Sequence, residues 1–147
     1  MTNIFVNYRA VTKRAQPTKL ELTILKVLWE AGPSSVRDVQ RILDASQPTG
    51  YTTVLKMLQI MTEKGLVDRD SGVRPQIYRP KVSQAQTQRQ MLKDLIQRAY
   101  GGSVKALVMQ ALGTSKTSPQ TLIEIEKLLD DAEDRQRRGS RGQGEPT

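Results

Sequence analysis

Apolar residues recur at intervals of three and four along the first half of the chain, and this spacing predicts three short helices between residues 18 and 64. Thr18 and Glu21 have the spacing of a capping box at the start of the first helix, which Gly32 and Pro33 end. Ser35 is expected to cap the second helix in the same way. The residues of that helix expected to face the core are Val36, Val39, Ile42 and Leu43.

The third predicted helix, residues 51–64, has two chemically different faces. One is an apolar stripe, and the other carries short hydrogen-bonding groups with a cation among them; the stripe is Val54, Met57, Leu58 and Met61, and the polar face is Thr52, Thr53, Lys56, Gln59 and Glu63. Thr49 or Thr52 is expected to cap its start, and Gly65 to end it. Such a helix fits the major groove of DNA, where base edges and phosphates bond these groups. An ordinary solvated face has the same composition, so this helix alone leaves both interpretations open.

After Gly65 the pattern changes from helical to extended. Residues 66–69 and 76–80 are predicted to form the strands of a β-hairpin, with a turn cluster between them. Arg69, Arg74 and Arg79 lie on or near it. A helix-turn-helix followed directly by a basic hairpin is a winged helix. The hairpin is either a purely structural lid or a contact to the DNA backbone, and its arginines favour the second.

Three further amphipathic helices are predicted, over residues 83–99, over 103–112 and from Pro119 to about residue 133. Their apolar faces have no compact partner within one chain, which predicts a two-fold homodimer. Docking back onto the winged helix is the alternative. The residues expected at the dimer interface are Leu92, Leu95, Ile96, Leu107, Val108, Leu122, Ile125 and Leu129.

These patterns predict a mainly α chain, with a winged helix-turn-helix DNA-binding domain followed by a three-helix dimerisation region. The expected boundaries are a flexible N-terminal extension over 1–16, the winged helix over 17–82 and the dimerisation domain over 83–133. The tail, residues 134–147, is rich in glycine and charge and is expected to be disordered.

Charge is distributed unevenly along the chain. Residues 1–82 carry 13 Lys and Arg against 7 Asp and Glu, whereas residues 83–133 carry 6 of each. The basic half is therefore the half with the candidate recognition helix, as expected for a polyanion partner. Aromatic residues make up only 4% of the chain, which argues against stacking on unpaired bases.

The chain has no cysteine and no histidine, which excludes disulfides, thiolate or histidine metal sites, and nucleophilic catalysis of the Cys-His or Ser-His kind. Acidic pairs such as Asp68 and Asp70, or Asp130 and Asp131, have no third ligand in view. No enzyme activity and no cofactor are therefore expected. No signal peptide or membrane-spanning run is apparent, so the protein is expected to be cytoplasmic, without membrane insertion.

Five segments taken in order resemble one family: residues 20–29, 35–39, 50–58, 63–67 and 100–108, among which Gly-Tyr-Thr-Thr-Val-Leu-Lys-Met-Leu and Tyr-Gly-Gly-Ser-Val-Lys-Ala-Leu-Val are the most specific. Over roughly residues 17–133 the chain resembles the penicillinase repressor family of BlaI/MecI-type regulators, which includes the CopY copper repressors. The resemblance implies a dimeric repressor on a palindromic operator. It also implies release by a metalloprotease that is coupled to a membrane sensor.

Family cleavage occurs at an Asn-Phe step in the second C-terminal helix, and the matching step here is Gln110-Ala111. The aromatic residue is missing, so the resemblance carries that cleavage specificity only weakly. The paired cysteines of the copper branch are absent as well, which excludes direct copper sensing of that kind.

The resulting prediction is a winged-helix repressor without catalytic activity. The residues expected to contact DNA are Tyr51, Thr52, Thr53, Lys56, Gln59 and Arg74. Tyr51 is assigned to phosphate through its hydroxyl, Gln59 to a base edge and Arg74 to the flanking backbone. A winged-helix protein-interaction module without specific DNA binding is the alternative function.

Overall fold

The computed structural model describes residues 16–141. It divides into two compact units, and the division along the chain falls between Leu95 and Ile96. The expected flexible extension and the last six residues of the expected tail lie outside the described residues, apart from Gln16.

The described elements, in chain order, are α1 (Lys19–Ala31), α2 (Val36–Leu43), α3 (Tyr51–Lys64), β1 (Val67–Asp70), β2 (Ile77–Pro80), α4 (Gln84–Ala99), α5 (Val104–Thr114) and α6 (Pro119–Arg141). The three predicted helices, the hairpin and the three C-terminal helices are therefore all present. None of the described helices is both long enough and apolar enough to cross a membrane.

The two predicted capping boxes are confirmed. The Thr18 hydroxyl accepts the Glu21 backbone N–H, and the Glu21 side chain accepts the Thr18 N–H. Ser35 and Asp38 make the same exchange at the start of α2, with both bonds at 3.1 Å. Because the Ser35 backbone N–H and then its hydroxyl bond the carboxylate, the pKa of Asp38 lies below its ordinary value of 3.8.

One aliphatic core holds the first unit together. The three helices and β1 contribute aliphatic residues and one methionine, and β2 contributes Tyr78. The most deeply buried members are Ile24, Leu25, Leu28, Val39, Leu43, Val54, Leu58, Met61, Leu66, Val67 and Tyr78. The prediction that Ile42 faces this core is wrong, because its side chain is 43% exposed. Successive helical residues are rotated by about 100°, so burial of Leu43 turns its neighbour Ile42 toward the edge of α2.

The hairpin pairs β1 and β2 antiparallel, with Val67 opposite Pro80 and Asp70 opposite Ile77. A further bridge joins Ser34 to Tyr78, where each backbone N–H donates to the other residue's carbonyl oxygen at 3.0 and 2.8 Å. The segment between α1 and α2 thereby fixes the hairpin against the helices. The Ser34–Tyr78 bridge therefore anchors the predicted wing through β2, and the turn between the two strands takes no part in that bridge.

The first turns of α4 belong to the first unit. The Trp29 indole N–H donates to the Val82 carbonyl oxygen at 3.0 Å, and Val82 packs against the core. Thr87, one turn further on, is buried and its hydroxyl bonds the Ser83 carbonyl oxygen. The compact unit therefore extends beyond the expected boundary at residues 82 and 83, and where the DNA-binding domain ends in function stays a prediction.

The second unit consists of helices without a core of their own. No described side chain between residues 96 and 140 is buried. Gly101 and Gly102, both with positive φ, follow the end of α4, and the Gly102 N–H bonds the Ile96 carbonyl oxygen.

The predicted start of the disordered tail is wrong, since α6 continues to Arg141. An ion pair between Arg137 and Glu133, one turn apart at 2.9 Å, spans the expected boundary. Arginines in the last turns are also favourable at the negative end of the helix dipole. Neither Gly139 nor the absence of apolar side chains therefore ends α6 at residue 133.

Candidate nucleic-acid interface

Helix α3 is divided between the core and the surface as its sequence predicts. Val54, Leu58 and Met61 are fully buried. On the opposite side the polar residues are exposed, and they are Thr52, Thr53, Lys56 and Gln59. The helix therefore presents a continuous row of hydroxyl, ammonium and amide groups on a rigid, packed backbone.

The start of α3 has no side-chain cap, contrary to the expectation for Thr49 or Thr52. Gly50 occupies the N-cap position, and no side chain of the described residues bonds there as a cap. The Thr49 hydroxyl instead donates to the Gln47 carbonyl oxygen at 2.8 Å. The first backbone N–H groups of α3 are consequently left for a partner outside the helix. At the other end Gly65 adopts φ 80°, and the Leu66 N–H closes the turn on the Met61 carbonyl oxygen.

Tyr51 lies at the first position of α3 and is 43% exposed. The Arg37 guanidinium, from the first turn of α2, lies over this ring with its Cζ atom 5.7 Å from the ring centroid. This is the separation of a cation–π contact. Sequence reasoning missed Arg37, because 14 residues separate it from Tyr51 and no periodicity within α2 or α3 marks the contact.

The wing positions its arginines differently. Arg79 and Lys81, on and just after β2, lie 3.8 and 3.9 Å from Asp70 and Asp68, so carboxylates partly neutralise them. Arg74 lies at the exposed tip between the strands. The Gly72 N–H, bonded to the Asp70 carboxylate at 3.0 Å, shapes the turn that carries this tip.

A surface groove of about 580 Å³ brings these elements together. The first turns of α2 and α3 and the tip of the wing line it, and Arg37, Tyr51 and Arg74 are among the lining residues. Of the sequence-predicted residues, the structure therefore places Tyr51 and Arg74 at one groove. Thr52, Thr53, Lys56 and Gln59 share the exposed face of α3 that begins beside it.

A buried ion pair fixes the far end of α3. The Lys64 ammonium is 2.6 Å from Glu21 Oε1 in α1, and the side chains are 24% and 1% exposed. Within the described part of the chain, Glu21 Oε2 has no hydrogen-bond partner. Sequence reasoning assigned Glu21 only to its capping box, and the contact with Lys64 gives it a second use.

The eight residues expected at a dimer interface are all exposed or half-buried. The second unit also carries further exposed apolar side chains, of which Met109 and Ile123 are 64% and 62% exposed. The Gln110-Ala111 step lies inside α5, and both residues are exposed.

The first unit consists of three helices followed by a basic two-stranded wing, and the third helix has an exposed polar face. This arrangement defines a winged helix-turn-helix DNA-binding protein. The penicillinase repressor family matches this chain over residues 17–131, and the chain belongs to that family. Its members are DNA-binding regulators and not enzymes, so this chain is a DNA-binding repressor.

Two known proteins are similar to the chain. The penicillinase repressor of Bacillus licheniformis is 21% identical over 125 residues, which cover 85% of this chain and 98% of the relative. The solution structure of monomeric Bacillus licheniformis BlaI in complex with the blaP half-operator is 23% identical, with a TM-score of 0.42. That match covers 48% of this chain and 85% of the BlaI chain.

Proposed function

We propose that the protein represses transcription by binding a palindromic operator as a homodimer, with α3 of each protomer in the major groove. The observation that carries this proposal is the division of α3 into a fully buried face and an exposed polar face. A helix fixed in this way presents the same groups to every binding site. Half-sites one helical turn apart would lie about 34 Å from each other.

Thr52, Thr53 and Lys56 are the residues we assign to base edges and nearby phosphates. Gln59, one turn further along α3, is assigned to adenine, whose edge an amide pairs with in two hydrogen bonds. Arg74 at the wing tip is assigned to the flanking backbone, which a projecting loop reaches more readily than the bases.

Dimerisation is assigned to the helices after the wing. Burying one leucine side chain is worth about 1.5–3 kcal/mol, so eight exposed or half-buried apolar candidates favour a partner surface. Charge on α6 supports a second copy of this chain as that partner. Residues 124–134 carry six carboxylates and one lysine, whereas residues 135–138 carry three arginines and no carboxylate. Two copies running antiparallel would bring unlike charges together.

Release by proteolysis is the last part of the proposal. Cleavage at the exposed Gln110-Ala111 step, by a metalloprotease coupled to a membrane sensor, would separate α6 from the rest of the chain. Leu107 and Val108 of α5 are among the residues assigned to the dimer interface, so cleavage within this helix would also disrupt that interface. Because the dimer acts on operator DNA, the protein is assigned to the cytoplasm.

The test begins with selection of bound duplexes from a random pool, which yields the operator and its half-site spacing. Lys56→Ala and Thr53→Ala are then expected to weaken operator binding while the circular dichroism stays native, because both side chains are exposed. A lost bidentate base contact would cost about 1–3 kcal/mol. A lost phosphate contact would instead lower the salt slope by about 1 for all sequences.

Lys26→Ala is the matched control, since it removes an exposed lysine from α1 and not from α3. Unchanged operator affinity in both α3 variants would remove this helix from the reading role. Equal losses of operator affinity in Lys26→Ala and Lys56→Ala would mean that the net charge of the protein, and not the position of Lys56 on α3, causes the loss.

A further inference from the structure

The groove between α2, α3 and the wing is lined by charged side chains that α3 does not need in order to contact bases. Two arginines, Arg37 from α2 and Arg74 from the wing, are among its lining residues. The carboxylate among its described lining residues, Asp38, already accepts the Ser35 N–H in the capping box. The groove is therefore cationic, and its carboxylate is engaged with the protein backbone.

The ring of Tyr51 gives one of these cations a defined place. Arg37 is exposed and rises from the first turn of a short helix, where an unsupported arginine would sample many rotamers. The Tyr51 face, whose centroid is 5.7 Å from Cζ, restricts that freedom and leaves guanidinium N–H groups available to an acceptor. A planar guanidinium held in this way suits the oxygens of a phosphate group.

The position of the groove relative to α3 indicates which phosphate it would meet. Recognition helices place their N-terminal residues against base edges, so the strand backbone beside them passes the start of the helix. In this protein the start of α3 borders the groove at Tyr51, and its N-cap Gly50 leaves the first backbone N–H groups without a side-chain acceptor.

We infer that Arg37, supported on the Tyr51 ring and lining the same groove as Arg74, is a DNA-contacting residue that clamps one backbone phosphate of the duplex. The inference rests on the proposed function and adds to it a residue of α2 and a new role for Tyr51. In this arrangement the tyrosine acts through its ring as a platform, and not only through its hydroxyl. The clamp reads no base, and it fixes the position of α3 along the groove.

The salt dependence of binding tests the clamp directly. The full-length chain is titrated with a duplex of random sequence and with the selected operator, from 50 to 200 mM KCl. One phosphate contact contributes about 0.9 to the slope of log affinity against log salt, so over this range Arg37→Gln should lose about 3.5-fold less affinity than the wild type. The reduction should be the same on both duplexes.

Arg41→Gln is the matched control, because it removes an exposed arginine one turn further along α2 and outside the groove. Its slope is expected to remain that of the wild type. Equal slopes for Arg37→Gln and wild type, or equal reductions in Arg37→Gln and Arg41→Gln, would overturn the clamp while leaving DNA binding by α3 in place. A wild-type chain that retains no duplex would instead overturn the proposed function together with the clamp.

Two further variants distinguish the platform from the hydroxyl. Tyr51→Phe removes only the hydroxyl, whereas Tyr51→Leu removes the aromatic face as well. If the ring acts as a platform, Tyr51→Leu should reduce the salt slope more than Tyr51→Phe does. Combining Tyr51→Leu with Arg37→Gln should then reduce the slope little further than Arg37→Gln alone. Equal effects of the two substitutions would contradict the platform.

Inorganic phosphate at matched ionic strength provides the last arm. Saturable binding of low-millimolar phosphate that is lost in Arg37→Gln, while the DNA salt slope of that variant stays equal to that of the wild type, would assign the groove to a free anion and overturn the assignment to the duplex backbone.

Discussion

Lys64→Met is expected to destabilise the first unit strongly, because it leaves a charged carboxylate buried without its partner. Glu21 is 1% exposed and its Oε1 atom lies 2.6 Å from the Lys64 ammonium. Removing one member of such a pair costs about 3–5 kcal/mol. The stability of a whole domain is typically about 5–15 kcal/mol, so leaving this carboxylate without its partner would remove a large part of it.

The converse substitution, Glu21→Gln, should be milder. The remaining lysine is 24% exposed and keeps access to water. The glutamine oxygen replaces Oε1 toward Lys64 and Thr18, and the new amide nitrogen takes the place of Oε2, which has no partner among the described residues. An unsatisfied buried group of this kind costs about 1–3 kcal/mol. The structure thus predicts an asymmetry, with the loss at Lys64 exceeding the loss at Glu21.

Urea unfolding followed by tryptophan fluorescence measures both variants. Trp29 is the single tryptophan of the chain, and its bond to Val82 lies within the first unit, so the signal reports on that unit. Lys26→Met, an exposed lysine on α1, is the control and should change the unfolding free energy by less than about 0.5 kcal/mol. Equal destabilisation in Glu21→Gln and Lys64→Met would refute the argument that the buried charge sets the cost.

Three further outcomes are expected. Arg74→Ala should weaken binding to random and selected duplexes by similar factors, measured by fluorescence anisotropy, and a loss confined to the selected site would mean that the wing reads bases. Truncation after Gln90 keeps the contacts of Val82 and the buried Thr87, and should give a folded monomer in sedimentation; a fragment that still dimerises would contradict the assigned interface. Because the folded pKa of Asp38 is lowered, its contribution to stability should be fully present above pH about 4 and lost as the pH falls through the folded pKa, and urea midpoints of Asp38→Asn should lack that component.

The features that sequence predicts best are those whose cause lies within a few residues. Both capping boxes join residues three apart, so the identity of the two side chains is enough to predict them. The buried face of α3 follows from the spacing of its own apolar residues in the same way. The hairpin required only two extended segments and a turn between them.

Local reasoning was wrong where two local effects compete. The last turns of α6 lack apolar residues, which suggested disorder, yet the pair of Arg137 with Glu133 accompanies a helix that continues to Arg141. Ile42 has the spacing of a core residue, but its side chain is 43% exposed at the edge of α2, next to the buried Leu43.

The sequence by itself therefore determined the order of the elements, the apolar side of each helix, and a polar face on α3 that is suited to DNA. Only the tertiary structure decided which distant residues meet: Lys64 with Glu21, 43 positions away, and Arg37 with both Tyr51 and the groove lined by Arg74. The physical reason is that periodicity specifies which side of an element is buried, whereas the packing of one element on another sets the partner across that surface.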